Sequence, residues 1–512
     1  MLLALLPAGP ASAEAAAGFT TDLAAEIFAT ALAFLAPRTL EAVSLPEMTL
    51  WGLQGLAALD PDIAVTGGAA REVAADTPKP PAPPVRLVAP QRLLAVPAPD
   101  PADAVAWGRL AADVAEAAYE SSAAVRRAGT QGVVQSFFDE LFNHLDPYSR
   151  YLPPGAAETD RARRAGQASV GMTVALRGTR IVVEDVLEGG PAAAAGVRSG
   201  DIIVAVDGTV VRARDPASVA ALINGAEKTE VALTLHAPHG RTRTLRLMRA
   251  LLPPQAVFAD RQADLLVLRI SLFNRGTGRR LAEMLDTYLN AERPPRGVVL
   301  DLRGNRGGLL SQAVDAAGLL LGTGLVATTE GRDPAANRIL TADGTDLAPG
   351  LPLVVMVDGR SASAAEVLAA SLADDGRAVV VGSATLGKGQ VQTVTTLPDG
   401  GELFVTWSRV LAPRGWPIQG LGVMPQLCTS LGTEALGRAM AALATGVAPM
   451  QAALARHHAA RAPLPLAQML EIRNACPAAE GTEADLRAAR FLIENPAAYR
   501  AALITAGPAT PP

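Results

Sequence analysis

From Leu265 onward the chain alternates short apolar runs with amphipathic stretches. Leu265–Ile270, Val298–Leu302, Leu353–Val357 and Ala378–Val381 have the length and branching of buried strands. Between them, Thr277–Leu289, Leu309–Leu321 and a stretch opening at Ser363 place apolar residues at helical spacing. A strand–helix–strand rhythm of this kind predicts a mainly parallel sheet covered by helices, an α/β core. Val391–Leu397 and Leu403–Arg409, joined by Asp399-Gly400-Gly401, read as a hairpin that closes the site. The pattern changes twice upstream. Residues 19–65 and 103–152 read as helical, whereas about Ser169 to Arg249 is a series of short strands broken by glycine turns. The expected organisation is multidomain: 14–165 helical, 166–250 β-rich, 251–430 the βα core and 431–512 a C-terminal helical region of no legible function.

Between the helical stretches, Thr77 to Pro101 (TPKPPAPPVRLVAPQRLLAVPAPDP) cannot be continuous helix, because proline removes donors and clashes with the preceding turn. It reads as a linker without regular structure, partly extended. Leu53–Pro61 (LQGLAALDP) weakly echoes Phe138–Pro147 (FDELFNHLDP), either as a duplicated helical hairpin or as a coincidence of Leu-rich helices.

Composition removes several function classes. The chain has 512 residues, 49% hydrophobic and 19% charged, enough for several cores, and its net charge of −5 gives no reason to expect nucleic-acid binding. Five histidines (144, 236, 239, 457 and 458) all lie outside the candidate chemistry, which disfavours a histidine triad or a histidine-rich metal site. Two cysteines are too few for a zinc cluster, and no metal or other cofactor is expected. Residues 1–13 (MLLALLPAGPASA) have a short apolar core and an Ala-Ser-Ala ending, like the end of a secretory signal peptide, although the usual basic start is missing. In an exported protein Cys428 and Cys476 could pair and tie the C-terminal helices to the core; two buried thiols are the alternative.

The candidate chemistry lies between Asp358 and Gln392. Ser363 opens a helix after the Asp358-Gly359 turn, with Glu366 at capping-box spacing, and Lys388 follows the next strand between two glycines. A helix N-terminus offers free N–H groups to an oxyanion, and a serine needs a neighbouring base to become a nucleophile. Lysine can be that base only when neutral, which requires lowering its pKa by about three units from roughly 10.4, a differential of about 4 kcal/mol. The flanking glycines and the scarcity of nearby acids in the sequence suit this. The bland alternative is an N-cap serine and a solvated loop lysine, and Ser361 is a rival nucleophile. Gly382–Lys388 also spells most of a phosphate-binding loop, but Gly389 stands where that motif needs Ser or Thr, and the next segment reads as a strand.

The run SASAAE, followed by GKGQVQT, resembles the C-terminal processing (tail-specific) peptidases. That resemblance implies Ser363 as nucleophile in preference to Ser361, Lys388 as general base and Gln392 as the residue orienting the lysine. It implies an oxyanion hole from the Ala364 N–H and, through the motif LDLRGNRGGLL, from Gly307 or Gly308. Family members commonly have Pro at Arg306 and Ser at Ala365; neither difference touches the dyad. The LDPYSRYL run, Leu145 to Leu152, and PRGWPIQG, Pro413 to Gly420, are also similar to family segments. The run GPAAAAGVRSGDIIVAVDG resembles a PDZ domain, which implies a carboxylate loop at Val170, Gly171 and Met172 and a groove helix at Ala217–Ile223. The expected partners are exported proteins with apolar C-terminal tails, in a bacterial periplasm or cell envelope. The family analogy leaves room for an adaptor and for self-association through the N-terminal helices. A non-catalytic PDZ scaffold is the alternative function.

Overall fold

The predicted strand–helix alternation closes, among the described residues, into a six-stranded sheet. Its strands run in the order Val257–Gln262, Leu265–Ile270, Gly297–Asp301, Leu353–Val357, Val379–Gly382 and Leu427–Cys428. The first pair is antiparallel and all the others are parallel. Leu353–Val357 is buried at every position because both faces of the sheet are covered, which is why it reads as an unbroken apolar run. One face carries the C-terminal helices: Leu436, Leu443, Leu492 and Ile493 pack with Val267, Val299, Val354 and Val379. Cys428, in the last strand, is disulfide-bonded to Cys476.

This computed structural model describes residues 18–67, 83–187, 189–211, 215–237 and 240–503, so the apolar segment 1–13 lies outside it. Among the described residues no helix is long and apolar enough to cross a membrane. They fall into two compact units. One holds the residues up to Glu158 together with Thr329–Arg338 and Gln390–Val410; the other holds the sheet above, the β-rich region and the C-terminal helices.

In the first unit, helices Thr21–Leu35, Leu45–Gln54, Ala104–Ser121 and Ala123–Asn143 enclose Phe28, Trp107, Phe137 and Phe138. Two expectations change here. The proline-rich stretch is not structureless where it is described: Val85–Ala89 and Arg92–Val96 form a hairpin, and Ala64–Thr66 pairs with its first strand. Val85 and Leu87 enter the helical core on alternate positions, the period-2 pattern of a half-buried strand. Second, the hairpin Gln390–Thr396/Glu402–Leu411 pairs with Arg150–Leu152, and its Leu397, Leu403 and Val405 pack with Phe138. Gln390–Val410 thus groups with the N-terminal helices, not with the remainder of 251–430. The two LDP aspartates make the same local turn: Asp60 accepts from the Asp62 N–H and Asp146 from the Tyr148 N–H.

In the second unit the β-rich region is a sheet in the order Thr242–Met248, Glu230–His236, Ile202–Val206, Arg180–Val186 and Met172–Arg177. Helix Pro216–Ile223 closes its core through Val219 and Ile223. Met172–Arg177 forms one edge of this sheet and Thr242–Met248 the other.

The C-terminal helices dock partly through two adjacent histidines, His457 buried and His458 half-buried. His457 Nε2 lies 2.8 Å from the Gly422 carbonyl, and its ring meets Trp416 edge-on. Burial lowers the pKa of His457 to about 4 and that of His458 to about 3. Both groups are charged more easily in the unfolded chain, so their contribution is complete above about pH 6.5 and is lost as pH falls toward the folded values. Asp374, facing His458, opposes this: burial raises it to about 6, so its contribution is largest in acid and fades as pH rises through 6. Arg414, Arg461 and Arg473 are the cations facing this pair. For His457 alone the acid loss amounts to roughly 3 kcal/mol. His457→Gln keeps a donor for Gly422, and its melting temperature is expected to fall less steeply than wild type between pH 6.5 and 4. An unchanged slope in a calorimetric pH series would refute the assignment.

Candidate active site

Ser363 sits between the strand Leu353–Val357 and the helix Ala364–Asp374, in a backbone conformation seldom adopted by a residue with a side chain, φ 56° and ψ −119°. An ordinary capping residue is extended. Positions like this one cost of order 1–3 kcal/mol and persist where the surroundings over-determine them. Those surroundings are specific. Asp358 Oδ1 accepts from the N–H groups of Gly304 (2.9 Å), Arg360 (3.0 Å) and Ser361 (3.0 Å). Asn305 accepts the Ala362 N–H at its carbonyl, 2.9 Å, and donates its side-chain amide to the Ile270 carbonyl, 2.8 Å. The Ser361 hydroxyl is fully buried; it donates to the Leu302 carbonyl at 2.8 Å and accepts from the Asp358 N–H at 3.0 Å. Ser361 is therefore committed to the fold, while Ser363 is half-buried at the mouth of the helix.

The glycine pair lies directly against this serine. A Cβ on Gly307 would come within 2.8 Å of Ser363 Cβ and 3.0 Å of the Ala364 nitrogen; one on Gly308 would sit 2.1 Å from the Phe273 carbonyl oxygen. Their N–H groups differ. Gly307 donates to Asn305 Oδ1 at 2.8 Å. Gly308 and Ala364 donate to no acceptor among the described residues.

Lys388 is half-buried on the loop after Val379–Gly382. The residue that connects it to Ser363 is Glu366, which the sequence marks only as a capping position. Its buried carboxylate accepts from the N–H groups of Ser363 (2.7 Å), Gly387 (2.7 Å) and Lys388 (2.9 Å), and from the Thr385 hydroxyl. Burial raises the Glu366 carboxyl above its ordinary range, against those hydrogen bonds. The scarcity of acids around the lysine holds along the sequence but not in space: the fold brings Glu366 onto the loop backbone. The glycines flanking Lys388 have a steric reason. Side chains there would strike the backbone of Gly420, at 2.9 Å, and of Gln419, at 2.1 Å. The segment after Lys388 is a strand, so the phosphate-loop reading lacks its helix.

The C-terminal region buttresses both loops. Arg473 donates to the carbonyls of Thr385 (2.9 Å) and Leu421 (2.7 Å), while the Ala479 carbonyl accepts from the Gly359 N–H (2.7 Å) and the Ser383 hydroxyl (2.9 Å). Gln392 belongs to the other unit, where its amide donates to the Gln390 carbonyl and Thr406 Oγ1, both at 3.2 Å.

In the β-rich region Val170 is buried. Its carbonyl accepts from the Ala192 N–H at 2.8 Å, and the Gly171 carbonyl accepts from the Leu187 N–H at 2.9 Å. Met172 opens the edge strand Met172–Arg177. Helix Pro216–Ile223 is capped at its start by Asp215, and at its end Arg249 donates to the Ile223 and Leu222 carbonyls.

Comparison with known proteins bears on both regions. Residues 264–428, which include Ser363, Lys388 and both glycines, match the model of peptidase family S41, and residues 182–236 match a PDZ domain. The chloroplastic C-terminal processing peptidase of Tetradesmus obliquus is 36% identical over 330 residues, covering 59% of this chain and 68% of that protein. The carboxy-terminal-processing protease of Bartonella bacilliformis is 30% identical over 304 residues, covering 58% of this chain and 69% of its own length. A solved photosystem II D1 C-terminal processing protease is 32% identical, with 65% of this chain and 90% of that one covered and a TM-score of 0.35. Two relatives at 30% identity or more, each covered over more than two thirds of its length, place this chain in peptidase family S41, as a serine-type C-terminal processing peptidase that carries a PDZ domain.

Proposed function

We propose that this peptidase cleaves exported proteins, selected by their apolar C-terminal tails, through a serine–lysine acyl-enzyme mechanism. The observation that carries the reading is Glu366, one buried carboxylate that accepts from the backbone of both Ser363 and Lys388 and so fixes them in one frame. A tail adds to the open edge of Met172–Arg177 beside helix Pro216–Ile223, and the N–H groups around Val170, Gly171 and Met172 hold its carboxylate. Lys388, neutral and oriented by Gln392, takes the proton of Ser363, whose Oγ attacks the scissile carbonyl carbon. The N–H groups of Ala364 and Gly308 receive the oxyanion; Gly307, already donating to Asn305, does not. The protonated lysine returns its proton to the leaving amine. Water, activated by the same lysine, then releases the acyl group.

The signal-like segment 1–13 is what supports the export part of this reading. The test is a comparison of wild type, Ser363→Ala and Lys388→Ala on an unfolded exported protein with an apolar C-terminus. Fragments from wild type alone are expected. Equal binding by all three with no fragments from any would make the protein a tail-binding scaffold. Fragments from Lys388→Ala at the wild-type rate would remove the lysine from the mechanism.

A further inference from the structure

Gln392 is held by a chain of hydrogen bonds that has only one polarity. It lies opposite Thr406 where the strand pairing slips: Val391 faces Ser408 and Gln392 faces Thr406, leaving Trp407 as the extra residue of a bulge. Bulges re-aim the side chains around them. Here the Gln392 amide reaches Thr406 Oγ1 and the Gln390 carbonyl, both at 3.2 Å. Thr406, 1% exposed, donates its hydroxyl to Asp146 Oδ1 at 2.6 Å. Asp146 also accepts from the N–H groups of Tyr148 and Ser149, each at 2.9 Å, and from the Ser149 hydroxyl. The Ser149 oxygen in turn accepts the Thr406 N–H at 2.9 Å, which closes the ring. All of these residues belong to the same compact unit.

The donor inventory then fixes the glutamine. An ionised carboxylate only accepts, and a threonine hydroxyl has a single proton. With that proton given to Asp146, Thr406 can only accept from Gln392, and the Gln390 carbonyl can likewise only accept. Both contacts therefore require the NH2 of the Gln392 amide. Its Oε1 is turned away from both, with its lone pairs uncommitted to them.

We propose that Thr406 and Asp146 are positioning residues for the peptidase reaction: they fix the polarity of the Gln392 amide so that its oxygen, not its NH2, is presented to the lysine. This rests on the reading that Gln392 orients Lys388. An amine has N–H groups to give, so an amide oxygen can hold it with its lone pair aimed at the serine. A reversed amide would offer donors to that lone pair and compete with the serine proton. The oxygen also favours the ammonium formed when the lysine takes the proton.

The test uses the full chain and a fluorogenic peptide with an apolar C-terminus, with melting temperatures recorded in parallel. Thr406→Val keeps the volume of the side chain and removes the hydroxyl. Its kcat is expected to fall roughly tenfold, well within what general-base catalysis contributes, with KM changed less than about twofold. Without the oxygen the ammonium is less favoured, so the acid-side midpoint of the kcat/KM pH profile moves to lower pH. Thr406→Ser is expected to restore both kcat and midpoint. Combining Thr406→Val with Gln392→Ala should be no slower than Gln392→Ala alone, since both act through one amide. A Thr406→Val enzyme with the wild-type kcat and midpoint overturns the proposal, as does a loss that adds in full to that of Gln392→Ala. If Lys388→Ala and Gln392→Ala are slow while Thr406→Val is not, only the relay fails. If Gln392→Ala or Lys388→Ala runs at the wild-type rate, the dyad reading fails and the relay with it.

Discussion

Glu366→Ala is expected to abolish peptide hydrolysis and to release the lysine loop before the rest of its unit melts. The substitution strands four donors: the N–H groups of Ser363, Gly387 and Lys388 and the Thr385 hydroxyl. Leaving a buried donor unsatisfied costs about 1–3 kcal/mol, and the four are not independent, so the local loss is of the order of the stability of many small domains. Glu366→Gln separates the two roles of the carboxylate. It relieves the burial of a charge, which raises the carboxyl in the native protein. Yet it replaces an acceptor oxygen with an NH2 that faces donors. Its stability is expected to lie closer to wild type than that of the alanine variant, while kcat drops about a hundredfold or more because the frame common to the proposed dyad is lost. Initial rates with hydrogen exchange at Thr385–Lys388 decide the matter. A Gln variant with full activity would mean that the contacts to Gln419 and Gly420 set the lysine loop by themselves.

The second large effect is expected at Gly308. An alanine methyl there would lie 2.1 Å from the Phe273 carbonyl oxygen, on a residue whose φ is +141°. The turn must move, and with it the N–H proposed to receive the oxyanion. Removing one such donor typically costs about 10²–10³ in kcat, so Gly308→Ala should lose at least that with little change in KM. Gly307→Ala differs in mechanism: its methyl presses on Ser363 itself, at 2.8 Å. If Gly308→Ala retained wild-type kcat, the oxyanion assignment would fall.

Much of this was legible in the sequence, for reasons that particular residues make plain. Leu353–Val357 and Val379–Gly382 announce themselves because a strand covered on both faces needs apolar side chains at every position. The hairpin at Val85–Val96 was hidden by the prolines around it, although VRLVA and RLLAV are short β-prone runs. Alternation in Leu403 and Val405 identifies a strand but not the core that receives it, and that core turned out to be the N-terminal helical one. Residue type and spacing left Ser361 and Ser363 as rivals. The fold separates them, since Asp358 and Leu302 engage one hydroxyl and leave the other at the helix mouth. Glu366 and Thr406 could not be identified because their meaning lies in partners far along the chain, at Gly387, Lys388 and Asp146. The C-terminal region had no legible role because Arg473 donates to backbone carbonyls and Ala479 acts through its own carbonyl, and backbone partners leave no trace in side-chain pattern.

The left-handed backbone at Ser363 has an evolutionary corollary. Glycine would rest there without the tension that a side chain imposes, so the most comfortable occupant of the position is one that cannot attack a carbonyl. Under the proposed mechanism, engineering that ranks variants by heat resistance alone would drift toward that inert occupant, trading turnover for robustness at this position.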